Sequence, residues 1–239
     1  MRKIIVLVSE PSPAEESADE RATRHDVVQG ALASQAAIMA AAESGVSGLV
    51  LSAVHRPFAP QDDLVAMIEL WTENEDLGRL VAQCVPAALR TQLSLTVSAT
   101  ATSEIIIKEV LHFANAESPW RIKLAGTAFR RDDFTTEEFF TYWSDIHAHI
   151  SGRVPGVRGY VVSRNTQVIE GTDETDAIVA QWYADEAAFD AAQATPEAAT
   201  TWADVANYAR TTGRFWLMTE TVIVTPPASG PGLLEPGNS

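Results

Sequence analysis

The sequence predicts an α+β fold made of two β-α-β-β-α-β repeats packed sheet to sheet, and three observations predict it. First, the chain repeats itself. Gly45-Val46-Ser47-Gly48-Leu49-Val50-Leu51-Ser52 returns as Gly156-Val157-Arg158-Gly159-Tyr160-Val161-Val162-Ser163, and Ile68-Glu69-Leu70-Trp71 returns as Val179-Ala180-Gln181-Trp182. Both matches hold one ungapped offset of 111 (156 − 45 and 182 − 71). Self-similarity at a fixed spacing marks a duplicated structural unit. Second, strand-like and helix-like hydrophobic patterns follow one order in both halves. Third, a four-stranded unit of this kind covers one sheet face with its helices and leaves an apolar face that must meet something. Two units in one chain can bury those faces against each other.

The elements follow in order. Lys3 to Ser9 is rich in Ile and Val and reads as a strand. The acidic, Pro- and Ser-containing stretch Glu10 to Glu20 reads as a loop. From Asp26 to Glu43, Val27, Val28, Ala31, Leu32, Ile38 and Met39 recur at helical spacing. Gly45 and Gly48 break that helix into a strand over Leu49 to Val54. A further strand is expected at Leu64 to Trp71, a helix from Glu75 towards Val85, and a strand at Leu93 to Thr100 that resumes at Ile105 to Val110.

The second half repeats this order. Ile122 to Phe129 is a strand, and Thr135-Thr136-Glu137-Glu138 starts a helix with Thr135 as cap and Glu138 at the capping-box position. The helix runs through Phe139, Trp143, Ile146, His147 and Ile150 to Pro155-Gly156. Strands follow at Val157 to Ser163 and Ala177 to Tyr183, around the acidic turn Gly171-Thr172-Asp173-Glu174. Asp185 caps a helix that is interrupted at Pro196 and resumes to Ala209, and Phe215 to Val224 closes the unit. These are two ferredoxin-like units forming a pseudo-dimeric α/β barrel. The expected domains are 1–112, a first, degenerate repeat; 113–225, the second repeat; and a flexible tail at 226–239, rich in Pro and Gly. His112 reads as linker.

Composition narrows the function. A formal net charge of −15 repels phosphate backbones and anionic lipid surfaces, so neither nucleic acid nor membrane is an expected partner. Cys84 is the single cysteine, which excludes an intrachain disulfide and a thiolate metal cluster. Ile4 to Val8 is too short for a secretory core, and no apolar run approaches the roughly 20 residues of a membrane span. A reducing, cytoplasmic location is the expectation. Five histidines without an HExxH-type pair give no expected metal site, since His147 and His149 diverge on a helix.

The densest chemistry lies in Phe139-Phe140-Thr141-Tyr142-Trp143-Ser144-Asp145-Ile146-His147. Spacings of three and four place Phe139, Trp143, Ile146, His147 and Ile150 on one helix face, with Asp145 and His149 on another, wetter one. An imidazole on an apolar stripe can take a proton from carbon or a hydroxyl and return it. It can equally be a satisfied core residue. Strand alternation groups Arg158, Tyr160 and Val162, so Tyr160 is a candidate to enter the barrel as a donor. Arg130-Arg131 at a strand end is a candidate to steer a carboxylate or phenolate, and His55, at the loop-like end of the first copy's strand, a further candidate.

Residues from about Ile122 to Val224 resemble an EthD domain of the dimeric α/β-barrel superfamily. The resemblance rests on Lys123-Leu124-Ala125-Gly126-Thr127, Phe134-Thr135-Thr136-Glu137-Glu138-Phe139, Tyr142-Trp143 with His147, Val154-Pro155-Gly156-Val157-Arg158-Gly159-Tyr160, Gln181-Trp182 and Pro196-Glu197. It implies a tandem, fused copy of a unit found elsewhere as a homodimer. It also implies a range of activities: cofactor-independent cyclases, dehydratases and isomerases, quinone-forming monooxygenases, accessory proteins of ether degradation, and haem-dependent relatives. Within that pattern His147 is the acid-base candidate, or an axial ligand if haem is bound.

The expectation is a lyase- or isomerase-type enzyme without a cofactor, acting on a hydrophobic aromatic or polyketide-like molecule. His147 is its general base and acid, with Tyr160 or Tyr142 as polarising donor. Trp143, Phe139, Trp182, Arg130 and His55 are the substrate-binding candidates. A cofactor-independent or haem-dependent monooxygenase and a non-catalytic binding protein are the alternatives. The repeat sharpens this: shifting Trp143 and His147 by the offset of 111 lands on Leu32 and Ala36, whereas Trp71 and Trp182 are present in both copies.

Overall fold

A computed structural model describes residues 2–11, 17–43, 45–57, 63–100, 105–108, 122–171 and 175–226. His112, the turn at 172–174 and the tail beyond Pro226 lie outside these described residues. The described residues fall into two compact units. The first takes those within Met1–Thr102, Thr166–Asp173 and Thr219–Pro227, and the second those within Ser103–Asn165, Glu174–Met218 and Ala228–Ser239.

The first unit runs β1 (Arg2–Ser9), α1 (Ala18–Ala42), β2 (Val46–Pro57), β3 (Leu64–Thr72), α2 (Leu77–Cys84) and β4 (Ser94–Thr100). Its strands lie in the order β4-β1-β3-β2, with antiparallel neighbours throughout. Helix α1 begins eight residues before the expected Asp26, because Ser17 and Glu20 form a capping box that satisfies the first-turn N–H groups. Its inward stripe is Val28, Leu32, Ala36 and Met39, which pack on Ile4, Leu49 and Leu70. Val27 and Ile38, grouped with that stripe by spacing alone, are 67% and 62% exposed. Strand β2 extends to Pro57, so His55 lies within an exposed strand end rather than a loop.

The second unit runs β5 (Ile105–Lys108), β6 (Ile122–Ala128), α3 (Thr136–Tyr142), a π-helical turn (Trp143–His147), α4 (Ala148–Ser151), β7 (Gly159–Glu170), β8 (Ala177–Tyr183), α5 (Glu186–Gln193), α6 (Pro196–Val205) and β9 (Phe215–Val224), with the ends of β7 from Thr166 and of β9 from Thr219 grouped with the first unit. Its order is β9-β6-β8-β7-β5, so four of its strands repeat the 4-1-3-2 arrangement of the first unit. Each unit is thus ferredoxin-like.

The register repeats as well. Trp71 pairs with Lys3 on one side and Gly48 on the other, and Trp182 pairs with Lys123 and Gly159. Lys3 Nζ lies 4.9 Å from the centre of the Trp71 ring, and Lys123 Nζ 5.1 Å from that of Trp182. Both lysines are buried, and Lys3 also pairs with buried Glu69 at 3.0 Å. A cation over an indole is favourable, more so where both are desolvated. The duplicated tryptophans therefore carry a duplicated packing feature.

A histidine-centred cavity in the second unit

The site starts from a helix that changes its winding. The box that opens α3 forms as expected, with Glu138 N–H donating to Thr135 Oγ1 at 3.2 Å and Thr135 N–H to Glu138 Oε2 at 2.8 Å. One turn later Ala148 N–H donates to Trp143 O, an i to i−5 bond, and the π-turn results. This wider turn keeps Trp143, His147, Ala148 and Ser151 buried and sends Ile146, placed inward by regular helical spacing, out to 44% exposure. π-Turns recur at functional sites, where they re-aim side chains.

Helix α6 supplies the partner. Thr195 caps it with Pro196 in its first turn, and Asp204 near its end is 8% exposed. Asp204 Oδ2 lies 2.9 Å from His147 Nδ1, and His147 Nε2 lies 3.0 Å from Ser151 Oγ. The Tyr142 hydroxyl and Asn207 Nδ2 both donate to Asp204 Oδ1 at 2.9 Å. Burial pushes the Asp204 pKa up, but hydrogen bonds from Asn207, His147 and Tyr142 outweigh it and leave the pKa below the ordinary aspartate value. Burial lowers the pKa of His147, only partly offset by Asp204. At neutral pH the carboxylate is charged and the imidazole neutral. The carboxylate then holds the proton on Nδ1 and leaves the Nε2 lone pair to Ser151.

Trp143 Nε1 donates to the Tyr160 hydroxyl at 2.8 Å, and burial raises the Tyr160 pKa. Tyr160 belongs to the sheet face covered by the helices, packing with Trp143 and Val162, rather than to the opposite face expected to line a barrel. Beside His147 stands Tyr208, with ring centroids 4.8 Å apart and its other neighbours Phe139, Tyr142 and Trp143 at 5.5, 5.2 and 5.2 Å. Ser151, His147, Trp143, Tyr160 and Tyr208 form part of the wall of a cavity of about 340 Å³. Leu124, Val154, Val179, Val205, Trp202 and Phe215 make much of the rest apolar.

The structure therefore brings His147, Trp143 and Tyr160 to one cavity, with Phe139 and Tyr142 packed against that wall. The other sequence candidates lie elsewhere. Trp182 is on the opposite face of β8 with Val161 and Ala180. Arg130 is tied to Asp176 at 3.2 Å and to Phe134 O at 2.7 Å. His55 belongs to the first unit. Leu32 and Ala36, which match Trp143 and His147 across the repeat, are buried in that unit's apolar core.

Asp204, Ser151 and Tyr208 are site residues absent from the sequence candidates. Ser151 follows His147 at i+4, a spacing that could have been read. Asp204 is 57 residues from His147 and needed the fold. Among the described residues no cluster of His, Cys, Asp and Glu suits a metal ion, and no helix is long and apolar enough to cross a membrane. For a haem iron, only Nε2 of His147 is open to consideration, since Nδ1 is held by Asp204 as in carboxylate–histidine pairs at metal sites, and Ser151 Oγ stands 3.0 Å from that nitrogen.

A ferredoxin-like unit with a histidine-bearing, mainly apolar cavity between its helices and its sheet is the class of domain these features define. The EthD domain family matches residues 131–212, which lie within the second unit apart from Thr166–Asp173. No curated protein sequence matches the chain. Among solved structures, a proposed monooxygenase from Fusobacterium nucleatum subsp. nucleatum is similar in fold, with a TM-score of 0.56 at 10% identity over 92% of this chain and 93% of that one. A proposed monooxygenase from Lactobacillus acidophilus NCFM gives 0.52 at 11% identity, covering 95% and 98%. An anthrone oxidase-like protein gives 0.54 at 12% identity, covering 96% of each. These likenesses establish the fold.

Proposed function

We propose that the protein is a small-molecule enzyme of the proton-transfer type. It would catalyse a dehydration, cyclisation or isomerisation of a hydrophobic aromatic or polyketide-like compound, with His147 as general base and acid. The observation that carries this reading is the Asp204–His147–Ser151 chain at the wall of an otherwise mainly apolar cavity. A proton leaving a substrate carbon or hydroxyl passes through Ser151 to Nε2, and Asp204 stabilises the imidazolium that forms. Return of that proton to a different atom completes the reaction. Tyr160, whose oxygen accepts from Trp143, would donate to an oxygen that gains charge on the way. Tyr142 acts one step behind, holding Asp204.

The test is solvent exchange and product formation with ring ketones and β-hydroxy ketones, followed by NMR in D₂O. His147→Ala is expected to lower the rate by about 10²–10⁴-fold. A rate unchanged in that variant would overturn the assignment.

A second reading comes from the names of the fold neighbours, proposed monooxygenases and an anthrone oxidase-like protein. The same base would form a stabilised carbanion, and dioxygen from solution would react with it. Oxygen consumption during turnover separates the two. Saturable binding without product under either condition would mark an accessory binding protein instead.

A further inference from the structure

Among the buried polar side chains of the cavity outside the chain that ends at Asp204 are Gln181 and Tyr208. Gln181 is 8% exposed and Tyr208 2%, and both face the cavity. The Tyr183 hydroxyl donates to Gln181 Oε1 at 2.8 Å, which fixes the amide oxygen of Gln181 on that side. The two N–H groups of Gln181 Nε2 remain, and among the described residues nothing accepts from them.

The Tyr208 hydroxyl likewise has no hydrogen-bond partner among the described residues. Burial holds it protonated, so it too is available to donate. Buried polar groups are normally satisfied, and a pair left open on a cavity wall indicates what the cavity is built to hold. Tyr160 lies beside Gln181 in the β7–β8 register, and its oxygen already accepts from Trp143. Apart from Ser151 Oγ, the acceptor in the proton-transfer chain, what Gln181 and Tyr208 leave uncommitted is donors. Arg210, a cation at the same cavity, is paired with Asp132. An apolar cavity of about 150 Å³ holds benzene, so one of about 340 Å³ has room for two or three fused rings.

We infer that the ligand is an uncharged ring ketone of two or three fused rings, whose carbonyl oxygen accepts from Gln181 Nε2 and the Tyr208 hydroxyl. A carboxylate would lack an uncommitted cation, and an amine would meet donors with its own. This deepens the proton-transfer reading by naming the substrate class, and rests on that reading only for which hydrogen of the ketone is acidic.

The probes are 1-tetralone and tetralin, the same skeleton with and without the oxygen, titrated calorimetrically into the full-length protein. Tetralone is expected to bind more tightly than tetralin. Gln181→Leu and Tyr208→Phe should each weaken tetralone by roughly 3–10-fold, the worth of one neutral hydrogen bond, and leave tetralin within about twofold. Equal affinity for the two probes, no binding of either, or a tetralone preference unchanged in both variants would overturn the inference. Tyr208→Phe keeps the ring stack, so the inference stays testable if Gln181→Leu fails to fold. Deuterium exchange at C2 of tetralone separates the two proposals. Gln181-dependent binding with exchange indifferent to His147 would sink the proton-transfer reading alone. Exchange that needs His147 while both variants bind tetralone normally would sink the ketone inference alone.

Discussion

Replacing Asp204 by Asn probes the centre of the site with the least change of shape. Asp204 accepts three hydrogen bonds, from His147 Nδ1 at Oδ2 and from Tyr142 and Asn207 at Oδ1, each at 2.9 Å. An amide has one acceptor oxygen and one donor nitrogen. If the oxygen stays with Tyr142 and Asn207, the NH₂ faces the Nδ1–H of His147, donor against donor. The imidazole relieves this by moving its proton to Nε2, which takes the lone pair away from Ser151. The lost bond is charge-assisted and largely buried, so about 2 kcal/mol of stability is expected to go, or roughly 4–8 °C in Tm for a chain of this size. Turnover should fall by about 10²–10⁴-fold, because the base no longer points at the cavity. Long-range ¹H–¹⁵N correlation on histidine-labelled protein reads the tautomer directly. It should show Nδ1–H in the parent and Nε2–H in Asp204→Asn. An Nε2–H tautomer in the parent, or no change in the variant, would refute the reasoning.

Other expectations follow from the same geometry. Burial depresses the pKa of His147, so the unfolded chain takes up its proton more readily than the folded one; the stability this gives is complete above about pH 6.5 and falls as the pH drops towards the lower folded value. The acidic limb of kcat/KM should accordingly lie below pH 6.5, and a limb above that value would contradict a buried, neutral base. Gly126→Ala would put a Cβ 2.3 Å from Phe215 Cδ1 and 3.0 Å from Arg214 O, so the ring must shift at a cost of about 1–3 kcal/mol; bicyclic ligands should bind more weakly, and Phe215→Ala in the same chain should restore room. Trp182→Ala should cost about 3–5 kcal/mol in denaturant unfolding and leave ligand affinity within about twofold, since Trp182 is on the sheet face away from the cavity. Lost affinity at preserved stability would reverse that assignment.

Where sequence and structure part company, the reasons are local. The Thr135/Glu138 box was readable because capping depends on residues three apart. The Ser17/Glu20 box carried the same signature, but the acidic, Pro-bearing residues before it resembled a loop, and α1 starts earlier than expected. Ile146 was misplaced because spacing arguments assume i to i−4 bonds, and the π-turn at Trp143–His147 breaks that assumption without an evident sequence mark. His55 and Arg130 looked available because a charged residue at a strand end has no visible partner in sequence, and Arg130's partner is Asp176, 46 residues away.

The sequence by itself determined the duplication, the order of the main strands and helices and the matched tryptophans, because a period of 111 and the helical and strand periodicities are properties of neighbours along the chain; it read Ile105 as part of the first repeat, whereas Ile105–Lys108 pairs with β7 in the second unit. It also singled out His147, since an imidazole among aromatic residues at helical spacing stands out in one dimension. Only the tertiary structure decided what His147 does with its two nitrogens. Asp204 comes from a helix 57 residues on, and Tyr208 and Gln181 arrive by way of a turn and a strand register. The tautomer, the depressed pKa and the direction of the hydrogen bonds depend on burial and on which groups meet across the cavity. These exist only once the helices have packed on the sheet.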